Sequence, residues 1–381
     1  MDVIVGFGPL HDTLLAAALR GCGVAAQPGP APGPEALALG RRRMARGHPC
    51  SVYYLAGCLT AYARAHAPDL ASTRFVVPGD RCGGYAADLA RALAEAGFPA
   101  AVVALAPERS ASLGSALGLD SARAWALLAE AVAVGDVLDA VGMRLRAMGR
   151  DPATTHARIA AACADAADTL ARGLRATGAL QQRRAALRPH RGAASPRQRV
   201  RLTGELLPTR YHAEVAPGLV SWMEDRGVAV EATGLCEWVL YAAWRGALEA
   251  SAFAALRQAL GSARARCAAA LGFVPPPPVD VTAWIDEAAR WLPVSLCAGS
   301  GILEVATYLS VDADRRADLV VSLKPFASIT SSAASDAVLH VLSRSRPTAF
   351  LALELNGDLS SQLESRLELA LHAAHPAFYS P

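Results

Sequence analysis

Two cysteines stand where a thiol could do chemistry. The apolar run Phe75-Val76-Val77-Pro78 leads into Gly79-Asp80-Arg81-Cys82-Gly83-Gly84-Tyr85, and a helical pattern follows from Ala86 to Gly97. Cys82 therefore sits at a strand end and at the positive end of a helix dipole, a setting that favours the thiolate. His48-Pro49-Cys50 introduces a second helical run, Ser51 to Ala65, in the same way. Two helix-start thiols on adjacent units of one α/β layer can converge on one point, and soft ligands at loop ends suit an iron–sulfur cluster. Ordinary burial is the alternative for both. Cys297 closes an apolar run just ahead of Gly299-Ser300-Gly301, again a turn into a helix. Cys22, Cys163 and Cys267 fall inside alanine-rich helical runs and read as small buried hydrophobes. Cys58 shares a helix with Cys50 and is expected to pack, and Cys236 is open between the two readings.

Other chemistries find little support. Gly6-Phe7-Gly8 lacks the third glycine of a dinucleotide fingerprint, and the second strand ends in Gln27 rather than an acid. No phosphate-binding Gly-Lys-Ser/Thr loop is present, which argues against ATP hydrolysis by this chain. Ser300 lies in Gly-Ser-Gly and not in the Gly-x-Ser-x-Gly of a nucleophile elbow.

The elements that would hold these residues alternate. Strands over Asp2–Gly6, Val24–Gln27, Phe75–Pro78 and Ala101–Leu105 are separated by helical runs. From Ser110 to Leu187 Ala, Leu and Arg recur at helical spacing, and Arg184–Arg199 is a basic linker. A second series follows, with strands over Val200–Leu206, Val228–Glu231, Leu319–Leu323 and Thr348–Leu355 and a closing helix over Ser360–His372. The expected architecture is α/β: two Rossmann-like, parallel-sheet lobes (residues 1–109 and 199–381) flanking a helical segment and linker (110–198). In such sheets ligands collect beyond the carboxyl ends of the strands. Glu205 and Ser300, both at strand-to-loop junctions, are pocket candidates, with helix capping as the plainer role.

Composition agrees with a chain of real cores: 381 residues, 53% hydrophobic and 19% charged. A formal charge of +3 is too small to argue for nucleic acid or a membrane surface. Lys324 is the only lysine beside 36 arginines, which reads as a genomic compositional bias. The start is acidic and strand-like rather than a basic leader, and no apolar segment is clean enough to span a bilayer, so a cytoplasmic location is expected. In a reducing compartment eight cysteines without tandem spacing point to ligation or burial rather than to disulfides.

Taken in order, the motifs resemble the 2-hydroxyacyl-CoA dehydratase-like family, and within it the acyl-CoA dehydratase activase-related (CoA activase) branch. Gly47-His48-Pro49-Cys50 resembles the family's first Cys-Pro-rich helix start, and Gly79 to Tyr85 its Gly-Pro-Cys-Arg-Phe-Gly-Tyr-Tyr turn, with the cysteine displaced by about one residue. Val134-Gly135-Asp136-Val137-Leu138, Thr203-Gly204-Glu205, Glu237-Trp238-Val239-Leu240-Tyr241, Gly299-Ser300-Gly301-Ile302-Leu303 and Lys324-Pro325-Phe326-Ala327-Ser328 resemble further family motifs in the same order.

The resemblance implies a [4Fe–4S] cluster between the lobes, held by three cysteines and open at one iron to an acyl-CoA carbonyl. It also implies a paralogous dehydratase-like subunit and a separate ATP-hydrolysing activator as partners. The implied activity is that of a radical dehydratase, a lyase subunit, or of a low-potential reductase subunit. By this resemblance Cys50 and Cys82 are ligands. Ser328 stands where the third cysteine would be, Ser300 where the family has Glu, and Ser365-Arg366 where it has Asn-Arg. Three outcomes stay open: Cys297 supplies the third ligand; two thiolates and Ser328 hold a labile cluster; or the chain is a cluster-free pseudoenzyme or regulatory partner of a catalytic paralogue.

Overall fold

The apolar runs ahead of Gly29, Gly79 and Gly234 form parallel strands, whereas the run before Gly299 forms a 3-10 turn (Val294–Leu296). The computed structural model describes residues 1–79, 84–105, 121–188, 196–246, 248–274, 281–296, 299–326, 334–356 and 361–374. The first lobe runs β1 (Asp2–Ile4), α1 (Pro9–Gly21), β2 (Ala26–Pro28), α2 (Pro34–Arg43), α3 (Cys50–Ala65), a 3-10 turn (Ala67–Ser72), β3 (Arg74–Pro78), α4 (Gly84–Glu95) and β4 (Ala101–Leu105). The helical segment supplies α5 (Ala122–Ala147), α6 (Pro152–Ala171) and α7 (Thr177–Arg183). The second lobe begins with β5 (Gln198–Gly204), α8 (Leu206–Arg210), α9 (His212–Val215), α10 (Leu219–Glu224) and β6 (Val228–Ala232). It continues with α11 (Leu235–Arg245), α12 (Ala250–Leu271), α13 (Val281–Ala288) and α14 (Gly301–Ala313). It closes with β7 (Leu319–Pro325), α15 (Ser335–Ser343), β8 (Ala349–Leu355) and α16 (Ser361–Ala373).

The expected pair of parallel-sheet lobes is present. The four-stranded sheets have orders β2-β1-β3-β4 and β6-β5-β7-β8, and every strand pair is parallel. Both lobes thus repeat one topology. In each, the chain reverses its direction of winding beside the first strand, so the crevice lies between β1 and β3 and between β5 and β7. Strand β7 is buried along its whole length, as expected of a parallel strand covered on both faces. At the carboxyl end of β5, Gly204 has φ +118° and a Cβ there would lie 2.1 Å from Leu323 O, so the close strand-to-loop turn requires glycine.

Asp151-Pro152, a breaker in the sequence pattern, is the start of α6: the Asp151 carboxylate accepts Thr154 N–H at 2.7 Å and Pro152 occupies the first turn. The helical segment is no peripheral insert. Sixteen of the 26 residues of α5 are buried, and its apolar positions share one core with residues of both lobes. A helix buried on nearly all sides needs no polar face, which is why its sequence shows no amphipathic stripe. None of the described helices is long and apolar enough to cross a membrane.

Candidate functional site where the two sheets meet

The carboxyl ends of the two sheets face a common seam. Cys50, first residue of α3, is 2% exposed, and its Sγ–H donates to Leu355 O at 3.1 Å, at the tip of β8. Beside it Arg41 of α2 donates to Asn356 O at 2.7 Å and Oδ1 at 2.9 Å. The first lobe is thereby seated on the edge of the second. His48 contacts Tyr85, with ring centroids 6.3 Å apart, and lies 3.8 Å from Asp88. The start of α4 is therefore next to the turn that carries Cys50. Cys82, Cys297 and Ser328 lie outside the described residues.

The helix-start position of Cys50 does not make it a ready thiolate. Burial, followed by the nearby Glu205 carboxylate, pushes the thiol up to about 12; the Phe326 backbone N–H and Arg41 oppose this without prevailing. Desolvation outweighs the partial charge of a helix terminus. Cys58, Cys163 and Cys267 are buried thiols as expected, and Cys236 joins them, whereas Cys22, expected inside a helix, follows the last residue of α1 and is only half-buried. Glu205 precedes α8 beside Cys50, whereas Ser300 belongs to a separate group.

That group surrounds the lone lysine. Lys324, at the end of β7, is fully buried, and its Nζ lies 3.0 Å from Glu304 Oε2, 3.2 Å from Ser335 Oγ and in contact with Asp336. Glu304 also accepts from Ser300 Oγ at 2.7 Å and Ser322 Oγ at 2.8 Å. Burial raises the Asp336 carboxyl against the opposing pull of Lys324. Ser300 thus anchors a buried carboxylate rather than capping α14, although it occupies the cap position. A compact ammonium meets three oxygens here at a fully buried position.

A second polar group spans both lobes. Asp12 of α1 accepts Gly6 N–H at 3.1 Å, Phe7 N–H at 3.0 Å and the hydroxyl of Tyr211. Next to it His11 Nε2 lies 3.1 Å from Asp136 Oδ1. Asp136 accepts the N–H groups of Leu235 at 2.7 Å and Cys236 at 2.9 Å, so a side chain of α5 caps α11. Arg210 donates to Thr233 O at 3.0 Å and to Asp139. Gly135 makes room for the imidazole: a Cβ there would lie 2.5 Å from His11 Nε2. Burial opposes ionisation of Asp136, but His11, Arg210 and Arg264 together hold its carboxyl well below the usual range. Glu237 pairs with Arg201 at 2.9 and 2.7 Å and accepts Gly234 N–H at 3.2 Å.

Asp136→Ala removes the partner of two helix N–H groups and of His11 at once. It should cost about 3–5 kcal/mol of stability in urea unfolding, with Asp136→Asn costing less because one acceptor is kept. A loss below about 1 kcal/mol for the alanine variant would show that Asp136 does not hold the seam.

Sequence reasoning placed Asp136 and Glu237 in motifs without assigning them a task, and it passed over Asp12, Arg210, Tyr211 and Glu304. Lys324 stood out as the lone lysine among arginines and as the first residue of a family-like motif, with no task assigned to it. No family model matches the chain, and no curated protein matches it.

Proposed function

We propose that the chain is an iron–sulfur protein of the 2-hydroxyacyl-CoA dehydratase-like class, with its cluster at the seam between the sheets. One observation supports this reading above the rest: Cys50 of the first lobe is buried against the strand tips of the second, with Glu205 beside it and the start of α4 close by. Cys50 and Cys82 would hold the cluster, and Ser328 or Cys297 would complete it. The donor chemistry is compatible. A protonated thiol in an anionic, water-poor setting exchanges its proton for a soft cation, which relieves the repulsion from Glu205. When bound, such a cluster supplies a one-electron centre with an iron open to an acyl-CoA carbonyl. Buried Cys50 and its apolar neighbours would exclude water there, and Lys324 with Glu304 fixes the end of β7, after which Phe326 N–H donates at 2.8 Å to Leu355 O, the carbonyl that also accepts from the thiol. A paralogous subunit and an ATP-hydrolysing activator are the proposed partners, in the cytoplasm.

A different observation favours a cluster-free partner of a catalytic paralogue. The Cys50 S–H bond to Leu355 O is one that a protonated, structural thiol makes. Anaerobic reconstitution of the full chain decides between them. Iron, sulfide and visible charge-transfer absorption are expected in the wild type and absent from Cys50→Ala and Cys82→Ala. Cys297→Ala against Ser328→Ala then identifies the third ligand. Because the Cys50 thiol sits at about 12, iron uptake must displace its proton, so affinity should climb about tenfold per pH unit from this group alone. A wild-type chain without iron and sulfide after reconstitution overturns the cluster.

A further inference from the structure

α5 and α12 leave a cavity of about 370 Å³ against β5 and β6, with Asp136 in its wall and Cys50 not among its lining residues. Five arginines line it, Arg144, Arg199, Arg201, Arg264 and Arg316, against two carboxylates, Asp136 and Glu231. The remaining wall is largely apolar, including Val141, Val230 and Phe273.

Part of this charge is met at the margins: Arg316 lies 3.1 Å from Asp314, Arg199 3.9 Å from Asp318, and Arg201 2.7 Å from Glu237 and 3.7 Å from Glu231. Arg264 is only 8% exposed and has no hydrogen-bond or ion-pair partner among the described residues; it acts on Asp136 and Cys236 through its field alone. Arg201 is 5% exposed, and its Nε has no partner although its Nη2 is bound to Glu237. Burial, and next the charge of Arg201, pull the Arg316 guanidinium below its usual range. Arg264 is thus the lining guanidinium that faces the void without an acceptor, beside other arginines whose charges repel it, and an anion there would relieve that repulsion. An oxyanion entering the void would meet forked donors that bind carboxylate and phosphate alike. The volume is that of a small-molecule site, and the apolar wall suits a hydrocarbon body behind the charged head.

We propose that this cavity is a binding site for a small organic oxyanion, a carboxylate or phosphate head on a compact apolar body, with Arg264 as its principal anion ligand. The site is separate from the Cys50 seam and does not depend on a cluster there.

The test is calorimetric titration and thermal unfolding of the full chain with hexanoate, phenyl phosphate, inorganic phosphate and neutral hexanol. At least one of the two amphipathic anions should bind at submillimolar concentration and raise the unfolding temperature, with hexanol at least about tenfold weaker. Hexanoate against phenyl phosphate distinguishes the head group, and inorganic phosphate reports what the head contributes alone. Arg264→Met should weaken binding at least about tenfold in a protein that still folds, with a small change in ligand-free stability because its attraction for Asp136 is lost together with its repulsion from the other arginines. A structural role for Arg264 would instead lower ligand-free stability and leave the affinity of the folded variant unchanged, and that result overturns the proposal. Binding of neither amphipathic anion at millimolar concentration also overturns it, as does hexanol binding equally well.

Discussion

Lys324→Met should destabilise this protein by about 3–5 kcal/mol, a large part of the 5–15 kcal/mol typical of a folded chain. The reasoning starts from exposure. Lys324 and Glu304 are both fully buried, and their charged atoms are 3.0 Å apart. Removing the ammonium leaves the Glu304 carboxylate in a low-dielectric interior with, among the described residues, the hydroxyls of Ser300 and Ser322 to solvate it, and it takes from Asp336 the cation in contact with it. Glu304 would then be forced to take up a proton or to distort α14. The double variant Lys324→Met with Glu304→Gln should recover at least half of the loss, because the amide still accepts from one serine and carries no charge. Lys324→Arg should not rescue, since the larger planar group must enter a fully buried space shaped for an ammonium. Urea unfolding of the three variants reads all of this. A Lys324→Met protein within about 1 kcal/mol of wild type would mean that the pair is energetically silent. The consequence also reaches the seam: β7 ends at Pro325, and the next residue, Phe326, donates its N–H at 2.8 Å to Leu355 O, the acceptor of the Cys50 Sγ–H.

That lysine illustrates what was legible in the sequence. The alternation of apolar runs and helical patterns identified both parallel sheets, because strand periodicity and glycine turns are local signals. Short α8 and α9 escaped notice, since four- and five-residue helices around Pro208 and Tyr211 carry no periodicity. The helical character of 110–198 was visible, but its place at the centre was not: the burial of α5 depends on helices far away in sequence. The helix-start position of Cys50 was likewise legible, whereas its elevated pKa depends on burial and on Glu205, both set by the packing of distant segments. Asp12 and Tyr211, separated by 199 positions, form a contact that no local pattern encodes. Long-range polar pairs are set by the fold as a whole, and for that reason the seam's chemistry had to be read from the structure.

The Asp12 contact predicts how stability depends on pH. Burial, opposed by the hydrogen bonds from Tyr211, Phe7 and Gly6, raises the Asp12 carboxyl from 3.8 to about 7. The groups around it are Tyr211, itself pushed up by burial and by Asp12, and the Cys58 thiol at about 12, so no cation offsets the charge. The folded protein therefore holds a proton on Asp12 between about pH 4 and pH 7 that the unfolded chain has lost. By linkage, stability falls as pH rises through that interval and levels off above it, by about 1.4 kcal/mol per pH unit and on the order of 4 kcal/mol in all. Glu214, raised by burial to about 7, contributes in the same direction. Buried His212, held down to about 4, acts oppositely and loses stability as pH falls below about 6.5. These two should largely cancel between about pH 5 and pH 6.5, which isolates Asp12. Asp12→Asn keeps an acceptor for the Gly6 and Phe7 N–H groups and cannot ionise. Relative to wild type, its stability should therefore improve steadily from about pH 4 to pH 7 and stay constant beyond. Urea unfolding at intervals across that range measures the difference directly. A difference that does not change with pH would mean that Asp12 is ionised in the folded state throughout, with the Tyr211 hydroxyl and two backbone N–H groups sufficient to hold its charge between the lobes.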